Sequence, residues 1–230
     1  MRKTKAALLC AAAVAAGGFT AMAQNVYSLN VVGYINLPLA EGQNLIANQL
    51  DLDGTGTNNT IAEVFTNNLP VNSKVNVWNG VGFNQASYAK NKSTGLTNWT
   101  ANFPLNPGMG AWVAIPAGAY GGTTQQVATV GNVLQGSLAN PNFTSGGGLS
   151  LLSSMAPISG AISSNLSYVP QLNDKLNVWN GIGFNQYSYA KNKSTGLTNW
   201  TPSEPVITVG QGFWLQNAQQ GSWTMNFTVQ

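Results

Sequence analysis

Tyr88, Lys90, Lys92 and Trp99 return as Tyr189, Lys191, Lys193 and Trp200. They lie within Asn76 to Thr100, a stretch repeated from Asn177 to Thr201 with 23 of 25 positions identical. An ammonium pair beside aromatic faces suits a sugar, whose ring lays its C–H face on Trp or Tyr. Lys, Asn and Gln then satisfy its hydroxyls or a uronate carboxylate. The eight residues are the candidate glycan-binding set. The competing reading makes the aromatics core and the KNKSTG loops solvated turns, because large aromatics in small β domains are usually buried. Ala86 against Tyr187 is the marked difference between the copies, and it predicts more stacking area in the second.

The acid-base inventory is short. The chain has no His, and its one Cys is Cys10. Imidazole-based nucleophilic machinery is therefore excluded. Six carboxylates are present, at Glu41, Asp51, Asp53, Glu63, Asp174 and Glu204. Glycoside hydrolysis needs two carboxyls facing across a cleft, and no acid here has an acidic counterpart in the other repeat. A carboxylate hydrolase is thus the minor alternative, and no catalytic residue is assigned. Asp51 and Asp53 ahead of Gly54 resemble the opening of a Ca²⁺ loop, but the closing position is Ala62 rather than Glu. A Gly-rich turn with Asx hydrogen bonds is the favoured alternative there.

Met1 to Lys5 is basic, an apolar stretch follows, and Ala21-Met22-Ala23 makes a small-residue cleavage site, so residues 1–23 read as a signal peptide. Arg2, Lys3 and Lys5 leave with it. Of 9 basic residues, 9 minus 3 leaves six Lys against six acids, a formally neutral chain. That argues against nucleic acid, which draws on a clustered basic excess. It also lowers self-repulsion and so favours self-association. No run of 18 apolar residues follows the leader, so no transmembrane helix is expected.

The elements that must position these residues are mostly short strands. Trp223, Met225, Phe227 and Val229 alternate with polar residues, the period of a half-buried strand. Asn79-Gly80 and Asn180-Gly181 predict tight type I′ hairpins with Trp78 opposite Val81 and Trp179 opposite Ile182. Thr60 to Thr66 predicts a short helix with Thr60 and Glu63 in capping-box spacing. Ser137 to Gly148 reads as a loop. The repeat extends beyond the near-identical block: Leu105 to Trp112 answers Ile207 to Trp214, and Gly42 to Leu50 answers Gly148 to Ala156. The expected fold is all-β, two homologous sandwich- or barrel-like units of about 100 residues, with repeats at 24–126 and 127–230.

The order NVYSLNVVGYINLPL, GQNLIANQL, VNVWNGVGF, a Trp at 99 and NPGMGAWV resembles that of two-repeat secreted proteins from environmental bacteria of the verrucomicrobial kind. Such proteins typically carry a Pro-Gly-Glu-Gly-Phe turn. Here Pro107-Gly108-Met109-Gly110 and Gly210-Gln211-Gly212 stand in its place, without the acid. The resemblance implies export and duplication. The functional expectation is an extracellular, cell-surface or periplasmic protein without enzymatic activity. It would bind polysaccharide or other surface proteins, or alternatively self-assemble as a matrix or filament subunit.

Overall fold

The computed structural model describes residues 31–144, 147–219 and 221–229. The expected signal peptide, Cys10 and the Asn25 to Asn30 part of the resemblance lie outside them. The fold is all-β. Among the described residues no helix is long and apolar enough to cross a membrane.

Two five-stranded antiparallel sheets carry the two copies of the near-identical block. The first contains β2 (Gly42–Ala47), β3 (Lys74–Trp78), β4 (Phe83–Lys90), β5 (Thr97–Trp99) and β6 (Gly110–Ile115), in the order β2-β6-β3-β4-β5. The second contains β9 (Gly148–Leu152), β11 (Lys175–Trp179), β12 (Phe184–Lys191), β13 (Thr198–Thr201) and β15 (Phe213–Asn217), in the corresponding order β9-β15-β11-β12-β13. Two ribbons accompany them. β1 (Val31–Leu39) pairs along its whole length with β7 (Gln125–Val133), and β8 (Gly136–Ala139) pairs with β16 (Thr224–Phe227). A small pair, β10 (Gly160–Ala161) with β14 (Val206–Ile207), completes the strands. The boundary expected between 126 and 127 falls inside β7. Residues Ser137 to Ala139 of the expected loop are strand β8, held by the register Met225 to Leu138.

Alternation along the strands buries one face of each sheet. Val75, Val77, Ala86, Val113 and Ile115 of the first sheet face a core with Leu37, Leu39 and Phe65, and the fully enclosed side chains there each contribute about 1.5–3 kcal/mol. The expected helix is α1 (Ile61–Phe65), whose Ile61, Val64 and Phe65 close that core. Glu63 Oε2 accepts from the Thr60 N–H at 2.7 Å and its hydroxyl at 2.8 Å, as the capping spacing requires. In the second sheet Leu176, Val178, Phe213 and Leu215 pack with Ile162, Leu166, Tyr168 and Trp223. There Leu166 stands where the first repeat has Phe65. Tyr187, opposite Leu176, fills the same side of the sheet as the fully buried Ala86 opposite Val75. The Ala86 to Tyr187 difference is thus mainly core filling, on the side of the sheet away from the outward row.

The hairpins are not type I′. Trp78 pairs with Phe83 and Trp179 with Phe184, leaving four-residue tips. In each tip only the first of two glycines has positive φ, 97° at Gly80 and 98° at Gly181. Asn79 Oδ1 instead accepts from the N–H groups of Val81 at 3.1 Å and Gly82 at 2.9 Å, an Asx turn, and Asn180 does the same. Val81 and Ile182 point outward, 91% and 94% exposed.

Candidate functional site: the aromatic seam between the repeats

The eight residues selected from the sequence divide by burial. Tyr88 and Trp200 are each only 6% exposed. Tyr88 pairs across strands with Trp99 at a centroid distance of 5.2 Å, and Tyr189 with Trp200 at 5.4 Å, so the expected couples form. They form against the cores. The Tyr88 hydroxyl donates to Asn67 Oδ1, Trp99 Nε1 to the Thr66 carbonyl and Trp200 Nε1 to Ser163 Oγ. Burial therefore removes Tyr88 and Trp200 as stacking platforms, and Trp99 and Tyr189 pack at the margins of the two cores. Lys90, Lys92, Lys191 and Lys193 are exposed at strand ends and in turns. Those turns are closed by Asn91 and Asn192, whose side chains each accept two N–H groups.

Asp51 and Asp53 hold a loop together. Asp51 Oδ1 accepts from the Gly54 and Gly56 N–H groups and from the Asn59 amide at 3.0 to 3.2 Å. Asp53 Oδ1 accepts from the Thr55 N–H at 2.9 Å, and that bond holds its carboxyl below its ordinary range. Donors converge where a cation would need bare oxygens, which is the Asx-turn arrangement. Among the described residues no three His, Cys, Asp or Glu side chains gather as a metal site.

The outward face of the first sheet shows a different set of residues. Strand register puts Lys74, Asn76 and Trp78 of β3 in one outward row, with Trp112 and Gln85 flanking Asn76 and with Ala114 and Ser87 flanking Lys74. The second sheet repeats this: Lys175, Asn177 and Trp179 of β11 stand with Trp214 and Gln186 beside Asn177. Gln85 Nε2 donates to Asn76 Oδ1 at 2.8 Å and Gln186 Nε2 to Asn177 Oδ1 at 3.1 Å, which fixes each amide pair.

Each hairpin tip reaches across to the other sheet. Trp78 and Phe83 pack edge-on against Trp214 at 5.1 and 5.9 Å, and Trp179 and Phe184 pack against Trp112 at 5.1 and 5.9 Å. No family model, curated protein or solved structure matches the chain. The backbone shares the seam's two-fold exchange. The bridge Ile46 to Gln211 answers Met109 to Leu152, and Ala47 N–H to Gly210 O answers Ser153 N–H to Gly108 O, both at 2.9 Å.

Between the clusters lies an open groove of about 330 Å³, lined by Gln43, Asn76, Phe83, Trp112 and Trp179. Its lining includes the Gln43 and Asn76 amides. The Trp179 Nε1–H is buried and has no hydrogen-bond partner. The counterpart donor, Trp78 Nε1, is occupied by the Leu149 carbonyl at 3.1 Å. Sequence reasoning missed this site because each tryptophan cluster joins residues more than 60 positions apart. The usable signal was the recurrence of Trp112 as Trp214 outside the near-identical block.

Proposed function

We propose that the chain is an exported, non-enzymatic binding protein of the cell surface or matrix that holds a glycan on the aromatic seam. The observation that supports this best is the groove of Trp112, Trp179 and Phe83 edged by Gln43 and Asn76. Aromatic rings beside amides, that of Asn76 held by Gln85, match the alternating C–H and hydroxyl surfaces of a pyranose. The lack of an enzymatic role is supported by the six carboxylates, each accepting hydrogen bonds from the chain's own groups. Tryptophan fluorescence during titration with soluble oligosaccharides tests this reading. A saturable shift in emission supports it, and spectra unmoved by every neutral and acidic sugar tried would refute it.

A second reading, self-assembly, is favoured by the β1–β7 ribbon. Val32, Tyr34 and Val130 are exposed at 66%, 63% and 52%, and Tyr34 lies directly opposite Val130. Light scattering that reports a monomer at every concentration would remove it.

A further inference from the structure

The lysines and carboxylates of the chain are not placed alike. Every carboxylate is engaged internally: Glu41 accepts from Gly118, Tyr120 and Gly122, Asp174 from Tyr168, Gln171 and Ala218, and Glu204 from Ser163 and Ser164. Asp51, Asp53 and Glu63 are held as described above. Each of the six lysines from Lys74 to Lys193 is exposed, and among the described residues none lies within 4.0 Å of a carboxylate. Neutral donors leave the carboxylates charged but fix them in place, whereas the lysine ammoniums are exposed and held by no carboxylate.

Two of these cations stand on the aromatic face. Lys74 and Lys175 are two residues along their strands from Asn76 and Asn177, about 7 Å, and point to the same side. Asn76 and Asn177 are in turn paired with Trp112 and Trp214. Each sheet thus presents indole, amide and ammonium in one outward patch.

We infer that the ligand is a carboxylated polysaccharide, with its rings on the tryptophan seam and its carboxylates on Lys74 and Lys175. This rests on the glycan reading above and adds the charge of the polymer and the residues that read it. Two such patches on one chain strengthen binding to a repeating polymer by raising the effective concentration of the second contact. An exposed ammonium–carboxylate contact is screened by salt.

The test is electrophoresis of the purified protein through gels containing polygalacturonate or its methyl ester, which keeps the rings and removes the charge. The expected result is strong retardation by polygalacturonate at low salt, much of it lost by roughly 0.3 M salt, and little by the ester. Lys74→Ala with Lys175→Ala should weaken the polygalacturonate effect about tenfold, while Lys90→Ala with Lys191→Ala changes it less than about twofold. Equal retardation by both polymers, unaffected by Lys74→Ala and Lys175→Ala, overturns the charge inference and leaves the glycan reading standing. Loss of binding in the Lys90 and Lys191 variants instead overturns the assignment of the site. Retardation by neither polymer nor by a panel of neutral polysaccharides overturns both.

Discussion

Trp112 and Trp179 meet edge to face with centroids 5.1 Å apart, and they come from opposite repeats. The same contact is made by Trp78 and Trp214 at 5.1 Å. A side chain that must fit its counterpart's surface is constrained twice over, which gives a physical reason for the two hairpins to stay alike. Aromatic pairs of this geometry contribute about 0.5–1.5 kcal/mol beyond their buried area, so the seam joins the sheets as well as shaping the groove.

Close backbone approach makes the seam sensitive to a single methyl group. A Cβ on Gly212 would stand 2.4 Å from the Ile46 carbonyl oxygen, whereas one on the counterpart Gly110 would stand 3.1 Å from the Leu152 oxygen. Gly212→Ala should cost about 1–3 kcal/mol in urea unfolding, and Gly110→Ala less. Equal midpoints for both variants and the parent would mean that the seam contributes nothing to stability.

The copies differ where their cores differ. Ala86→Tyr adds a ring at a fully buried site and should destabilise by about 1–3 kcal/mol. Tyr187→Ala removes a ring that packs against the second core and should cost up to about 3 kcal/mol, reduced by its partial exposure. Thermal unfolding measures both. Neither substitution should change glycan binding beyond its effect on folding, because both positions face away from the groove.

Acid should destabilise the protein through Glu204, Glu41 and Asp53. Desolvation raises the Glu204 carboxyl, but hydrogen bonds from Ser164 and Ser163 outweigh it, and the net shift is downward. Backbone N–H groups of Gly118, Tyr120 and Gly122 lower Glu41 likewise. A carboxyl held below its unfolded value, near 4.5 for Glu, stabilises the fold above that pH and stops doing so as pH falls through the lowered value. The Tm should be flat from neutral pH to about 5 and then fall. Glu204→Gln should flatten that fall, and an unaltered profile would show that its hydrogen bonds carry no linkage.

Calcium should have no effect on stability. The Asp51 and Asp53 oxygens already accept N–H groups within their own loop, so unfolding curves in millimolar Ca²⁺ and in chelator should superimpose. A Tm that rises with Ca²⁺ would reinstate the cation loop.

Local chemistry was readable in the sequence and long-range geometry was not. The Thr60 to Thr66 helix appears as α1 because its cap and its apolar face are set by neighbouring residues. The C-terminal strand alternates over its first part, with Trp223 and Met225 buried, but it ends at Phe227 and Val229 is exposed. Asn-Gly gave the position of each hairpin but not its form, because Asn79 Oδ1 binds two backbone N–H groups and makes a four-residue tip easier than a two-residue one. Among the candidate site residues, Tyr88 and Trp99 were found as a pair but lie on the wrong side of their strands for a ligand. The expected and observed registers differ by two residues, which keeps the face, so Tyr88 stands on the side opposite Asn76 and Trp78 in both. Which of the two faces the core covers was not written in the block itself. Trp112 and Trp214 acquire their roles only when the sheets meet.

Trp112→Ala strips an indole from the proposed glycan groove, and Asn76→Ala is a milder variant on the same face. Both are run beside the parent in the polysaccharide gels, with circular dichroism verifying the fold. Folded Trp112→Ala should lose most of the retardation and Asn76→Ala part of it. Retardation undiminished in both folded variants would contradict it and move the binding surface elsewhere on the protein.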